Sequence, residues 1–152
     1  MGNIIVKKGE QCPMCNRYYD RHIVCDGLII DNGKILLGLR DLEPDRGKWA
    51  LFGGFLDWNE TIEEAILREI KEEAGVNTEI VRLLGIYSDP DRSQKEQNVS
   101  VAYVLKINTD DKLIPQPGEI KELKWFNLDD LPGVIAFDHR EMINDYLKSE
   151  NS

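Results

Sequence analysis

Glu69, Glu72 and Glu73 crowd into one short stretch of sequence, with Glu60 a little upstream and Arg68 among them. The stretch reads as a helix over 62–74. Thr61 and Glu64 have the spacing of a capping box, and Gly75 supplies the stop. At about 100° per residue, Ile62, Ala65, Ile66 and Ile70 share the face that turns toward a core, while Glu63, Glu64 and Lys71 point to solvent. Glu69 and Glu73 fall on the inward arc, and Glu72 lies just beside them. Like charges at this spacing destabilise a helix by several tenths of a kcal/mol, and sinking them costs far more unless something pairs them. A hard divalent cation, Mg²⁺ or Mn²⁺, resolves both problems because it takes oxygen ligands. Arg68 can neutralise only part of the cluster. A merely solvated acidic helix would not set Glu69 and Glu73 against its apolar stripe.

Gly54, Glu60 and the run Arg68-Glu69-Ile70-Lys71-Glu72-Glu73-Ala74-Gly75-Val76 together resemble a complete Nudix box, and the resemblance extends from about Arg21 to Leu147. It implies an α+β Nudix fold, an α/β/α sandwich with a mixed β-sheet, and a metal-dependent pyrophosphohydrolase. Carried over by position, Glu69 and Glu73 would be metal ligands, and Glu72 would bind a further ion or its water. Glu60 and Arg68 would orient the cluster. The Gly53-Gly54 turn would offer a backbone carbonyl, that of Gly53, to the metal. Bound dications would draw in an anionic diphosphate and stabilise the charge of in-line attack by water, whose proton a carboxylate takes. Two bases stay open: Glu69 in the box, or Glu119 in the Pro117-Gly118-Glu119 loop with Glu122 as its fallback. Neither histidine, His22 or His139, stands in a setting that suggests a base.

The box sets the reaction class and leaves the substrate open. Pro90 in Ser88-Asp89-Pro90-Asp91-Arg92 stands fifteen residues beyond Gly75, as a proline does in ADP-ribose pyrophosphatases, which this segment resembles. Gly47-Lys48-Trp49-Ala50-Leu51 and Ala136-Phe137-Asp138-His139 resemble that group too. The chain departs from it at Ser93-Gln94-Lys95-Glu96, where another Asp-Pro-Arg is usual, and at Phe52, where proline is usual. The expected substrate is ADP-ribose or a similar nucleoside diphosphate sugar, with (d)NTP or NADH as alternatives. Arg40, Arg46 and Arg92, with the Gly54 backbone, are candidate substrate contacts, because guanidinium forks match phosphate oxygens. A non-catalytic ligand sensor is the rival from another class, and it would bind without turnover.

Short apolar runs must position these groups. Strands are expected over 21–30 and 34–40 around an Asp31-Asn32-Gly33 turn, at 49–52 ending in Gly53-Gly54, and at 79–87, 99–107 and 123–126. A closing helix spans 138–148. Residues 1–20 read as a polar extension and 21–150 as the hydrolase domain. Cys12-Pro13-Met14-Cys15 has the spacing of half a zinc ribbon. His22 and Cys25 could complete a Zn²⁺ set, although an odd separation on a strand puts them on opposite faces.

A net charge of −9, from 28 acidic against 19 basic residues, argues against a nucleic-acid partner, including a zinc-ribbon binder. An odd count of 3 cysteines argues against a disulfide framework. No apolar run has the length of a membrane span or a secretory signal, so a cytoplasmic location and a small nucleotide as partner are expected. The resemblance also admits a homodimer.

Overall fold

Asn32 and Gly33, both at positive φ (47° and 76°), turn the chain between two apolar strands, β1 (Ile23–Asp31) and β2 (Lys34–Arg40). The pair is antiparallel, with Ile29 opposite Leu36 and Asp31 opposite Lys34, as the turn chemistry requires. The computed structural model describes residues 7, 9–18, 21–93, 97–108 and 110–152. The remaining elements are β3 (Trp49–Ala50), β4 (Phe52–Phe55), α1 (Ile62–Ala74), β5 (Thr78–Tyr87), β6 (Val99–Ile107), β7 (Ile120–Asn127) and α2 (His139–Glu150). Among the described residues the strands form one seven-stranded sheet in the order β3-β2-β1-β6-β5, with β4 on β1 and β7 on β2. β1 and β6 run parallel and the other pairs antiparallel, so the sheet is mixed.

Side chains of β1 alternate between the two faces, and each face carries one helix. Ile29 joins Leu36, Phe52 and Leu105 under Ala65, Ile66, Ile70 and Ala74 of α1. Leu28 joins Ile35, Leu37 and Val104 under Met142, Ile143 and Tyr146 of α2. Ile66 and Ile70 are wholly buried, and truncating either to alanine costs about 2–5 kcal/mol on the scale of core deletions. The expected α/β/α sandwich is what the chain forms.

Three details differ from the sequence reading. Gly53-Gly54 does not end a strand: both residues lie inside β4, opposite Asp26 and Cys25 of β1. The expected 49–52 strand is instead two short strands divided at Leu51, β3 pairing with β2 and β4 with β1. β7 begins at Ile120, not 123, because its whole length pairs with β2. The part of the 1–20 extension at 1–6, 8 and 19–20, and the departure at Gln94-Lys95-Glu96, lie outside the described residues.

Candidate active site

The capping box forms as expected. Glu64 N–H donates to Thr61 Oγ1 at 3.1 Å and Thr61 N–H to Glu64 Oε2 at 2.9 Å, and Gly75 at φ 77° ends α1. With its ends fixed, the helix presents Arg68 as a hub. The guanidinium grips Glu60 with two bonds, Nε to Oε2 at 3.0 Å and Nη2 to Oε1 at 2.7 Å. It also donates to Glu69 Oε1 at 2.9 Å, to the Phe55 carbonyl at 3.2 Å, and more weakly to Glu72 at 3.4 Å. The guanidinium, aided by the Asp57 N–H, pulls the Glu60 carboxyl down to about 2. Glu60 and Arg68 therefore tie the start of the box to the helix.

Glu73 is the buried member of the cluster, and its Oε1 accepts from Gly53 N–H at 3.0 Å. Burial drives its proton affinity well above the usual carboxylate range, and neighbouring Glu69, Glu119 and Asp26 push the same way. Burial likewise raises Glu69, opposed by Arg68 and reinforced by Glu72 and Glu119. The two glycines of β4 are demanded by close approach. A Cβ on Gly53 would stand 1.9 Å from the Cys25 carbonyl oxygen, and one on Gly54 would stand 2.4 Å from Glu69 Oε1.

These groups face a cleft of 360 Å³ lined by Asp26, Arg40, Gly53, Gly54, Glu73 and Arg92, among others. Glu119 sits on the turn before β7, close enough to act electrostatically on Glu69, Glu73 and Arg40. Glu122, the fallback, is exposed on β7 opposite Leu39. Arg40 reaches in from the end of β2, its Nε donating to the Pro44 carbonyl at 2.8 Å. Arg46 is exposed on the loop after β2 and does not line the cleft.

Arg92 lines the cleft but is committed to protein partners. Its Nε and Nη2 fork onto Asp138 at 2.9 and 3.0 Å, and Nη2 lies 3.6 Å from Asp26. Asp26 also takes Ser100 Oγ–H and stands 3.1 Å from His139 Nε2. Leu51 N–H donates to His139 Nδ1 at 3.1 Å, so Nε2 carries the proton directed at Asp26. With both nitrogens engaged and the ring 3% exposed, His139 is not placed to act as a base. The sequence reading assigned no role to Asp26, Ser100, Asp138 or His139. One signal was available: Asp26 is a lone charge inside the apolar run of β1.

Asp26 and Glu73 thus line the cleft with Arg40, while Glu72 and Glu119 are near enough to couple electrostatically to Glu69, and Glu69 and Glu119 to Glu73. Hard oxygen donors and an acid buried without a cationic side chain in contact suit a hard dication such as Mg²⁺ or Mn²⁺. Among the described residues no three Asp, Glu, His or Cys side chains close into a ready-made shell. Glu69 is turned to Arg68 and Glu73 to the Gly53 amide. The four-residue Zn²⁺ set does not assemble. Cys12 and Cys15 sit on a hairpin bridged by Gln11 and Tyr18, whereas Cys25 is in the core, its thiol raised to about 12 by burial.

The family model of the NUDIX domain matches residues 20–146. ADP-ribose pyrophosphatase of Methanocaldococcus jannaschii is 39% identical over 134 residues, covering 88% of this chain and 78% of the relative. NAD-capped RNA hydrolase NudC of Chromobacterium violaceum is 32% identical over 87% of this chain, which spans only 49% of that longer protein. The crystal structure of a NUDIX hydrolase from Nitrosomonas europaea superposes with a TM-score of 0.80 at 28% identity, covering 99% of this chain and 88% of that one.

Proposed function

The chain belongs to the NUDIX hydrolase family and is a hydrolase of phosphoric anhydrides, and from that premise we propose that it cleaves ADP-ribose or a similar nucleoside diphosphate sugar with Mg²⁺ or Mn²⁺. The observation that carries this reading is the buried Glu73 beside Glu69, under the Gly53-Gly54 strand and open to the cleft. The relative from Methanocaldococcus jannaschii, matched over 88% of this chain, supports ADP-ribose as the substrate. The chain spans about half of the NudC relative, so that protein's activity is not transferred.

Glu69 and Glu73 would hold the metal, with Glu72 and the Gly53 carbonyl as further donors. When bound, the metal supplies positive charge against the diphosphate and acidifies the attacking water. Arg68 holds Glu69 beside the site while Glu60 fixes Arg68, and Glu69 and Glu73 would turn from the guanidinium and the Gly53 amide to the cation. Arg40, which lines the same cleft, offers its guanidinium to a phosphate oxygen. The water's proton goes to a carboxylate oxygen. Glu119 is favoured over Glu69, because Glu69 is claimed as a metal ligand and its Oε1 already accepts from Arg68. Water attack breaks the P–O–P bridge, one oxygen from water ending on one phosphate and the bridging oxygen leaving on the other.

The test is incubation with ADP-ribose, ADP-glucose, dATP and NADH, with Mg²⁺ or with a chelator, and chromatography of the products. AMP and ribose 5-phosphate from ADP-ribose, only with metal, is the expected outcome. Binding of ADP-ribose without turnover in Mg²⁺ would instead make the domain a sensor.

A further inference from the structure

Phe137 is held in a conformation that a bulky residue rarely adopts, yet its ring is not used to fill the core. Its φ is +52°, in the left-handed region where a side chain crowds its own backbone. The surroundings impose this. Phe137 N–H donates to Asp45 Oδ2 at 3.0 Å, and the Ala136 N–H before it donates to the Trp49 carbonyl at 2.8 Å. The Arg40 guanidinium lies 4.9 Å from the ring centroid, and the His139 ring lies 5.2 Å away at 57°. Arg40 is itself fixed through its bond to Pro44. Even so, Phe137 remains 38% exposed. It lines the catalytic cleft and also an adjoining cavity of 260 Å³, the two sharing Pro44, Arg92, Ser93 and Phe137.

The position along β4 gives that exposure a direction. Leu51, tied to His139, marks the Phe137 end of the cleft. Four residues further along the chain and through β4, about 13 Å at about 3.3 Å each, Phe55 lines the same cleft and is 49% exposed. Gly53, Gly54 and Glu73 come between. A diphosphate centred there would send one substituent toward each aromatic ring. Phe137 is the one braced by a cation and backed by a second cavity, whose wall adds Ile135 and Pro44 as apolar surface and Lys48 and Asp91 as polar groups. Every nucleobase has a π-face, and a rigid exposed ring beside a cationic phosphate partner matches a nucleotide's base and phosphate together.

We propose that Phe137, locked between Asp45, Arg40 and His139, is the stacking platform for the nucleobase, and that the adjoining cavity receives the base. This rests on the diphosphate site proposed above, and it makes Phe137 a determinant of nucleotide over base-free diphosphates.

Calorimetry with AMP and with ribose 5-phosphate as probes tests it in wild type, F137A, F137L and F137W. Leucine keeps apolar bulk and removes the π-face, so F137L separates stacking from packing if F137A proves unstable. AMP affinity should fall about tenfold or more in F137L and recover in F137W, with ribose 5-phosphate affinity held. In turnover of ADP-ribose, F137L should raise KM more than it lowers kcat. The proposal is overturned if wild type does not bind AMP, if F137L binds AMP as wild type does, or if both probes weaken together. A wild type that hydrolyses no diphosphate in Mg²⁺ would defeat the proposed function alone, since the AMP comparison needs no turnover.

Discussion

Replacing Glu73 by glutamine should make the metal-free protein more stable and the enzyme nearly inactive. Glu73 is 7% exposed, its one hydrogen bond among the described residues is to Gly53 N–H, and Glu69, Glu119 and Asp26 all oppose its charge. Glutamine keeps an oxygen for the Gly53 amide. Losing the charge on that acceptor forfeits about 1 kcal/mol of hydrogen-bond strength, against removal of a buried charge whose effective penalty is several kcal/mol. The net gain is about 1–3 kcal/mol. For a chain of this size that corresponds to roughly 2–10 °C in Tm, read by calorimetry in chelator at pH 8. The sign follows from the raised proton affinity. A folded-state carboxyl held above its ordinary value stabilises the fold at low pH, and that contribution is lost as pH rises from 4.5 through the raised value. E73Q should lessen this decline. Conversely, Mg²⁺ at a hundred times its Kd should stabilise wild type by about 2.7 kcal/mol, and this shift should largely vanish in E73Q. Turnover should fall at least about a hundredfold, more than is lost on removing a group that only supports a ligand. A variant with lower metal-free stability, an intact Mg²⁺ shift and normal turnover would refute the reasoning.

Gly53→Ala should destabilise by several kcal/mol in chemical unfolding, because the new methyl meets the Cys25 backbone carbonyl at 1.9 Å. Gly54→Ala meets only the end of Glu69, so it should keep most stability and lose activity as the carboxylate is displaced. Arg92→Met leaves Asp138 and Asp26 without their guanidinium in a site where all three side chains are largely buried. It should cost about 3–5 kcal/mol in urea unfolding. The Glu60 carboxyl, held at about 2 against an ordinary 4.5, contributes stability above 4.5 that fades as pH falls toward 2. Acid unfolding of Glu60→Gln should therefore show a shallower slope across that window.

The helix at 62–74 and its inward carboxylates were legible because 3.6-residue periodicity is a local property. Glu73 is buried and Glu69 half-buried, as rotation from Ile62, Ala65, Ile66 and Ile70 requires. The β1–β2 hairpin was legible from its Asp31-Asn32-Gly33 turn, whereas the sandwich came from the resemblance of the box. Gly53-Gly54 misled, because two glycines look like a turn when their real cause is the approach of Cys25 and Glu69 from elsewhere in the chain. The parallel pairing of β1 with β6 has no local signature, yet it places Ser100 on Asp26. Asp138 stands at the N-cap of α2, yet its carboxylate makes no cap bond and serves Arg92 instead. Arg92 thus looked like a free phosphate partner when the fold had already engaged it.

The most direct test of the account is anomalous scattering from a crystal soaked in Mn²⁺ and the non-hydrolysable methylene analogue of ADP-ribose. A metal peak coordinated by Glu69 and Glu73 beside Gly53, with the diphosphate against it, is the result expected. A peak elsewhere, or a diphosphate bound with Glu69 still on Arg68 and Glu73 still on the Gly53 amide, would contradict it.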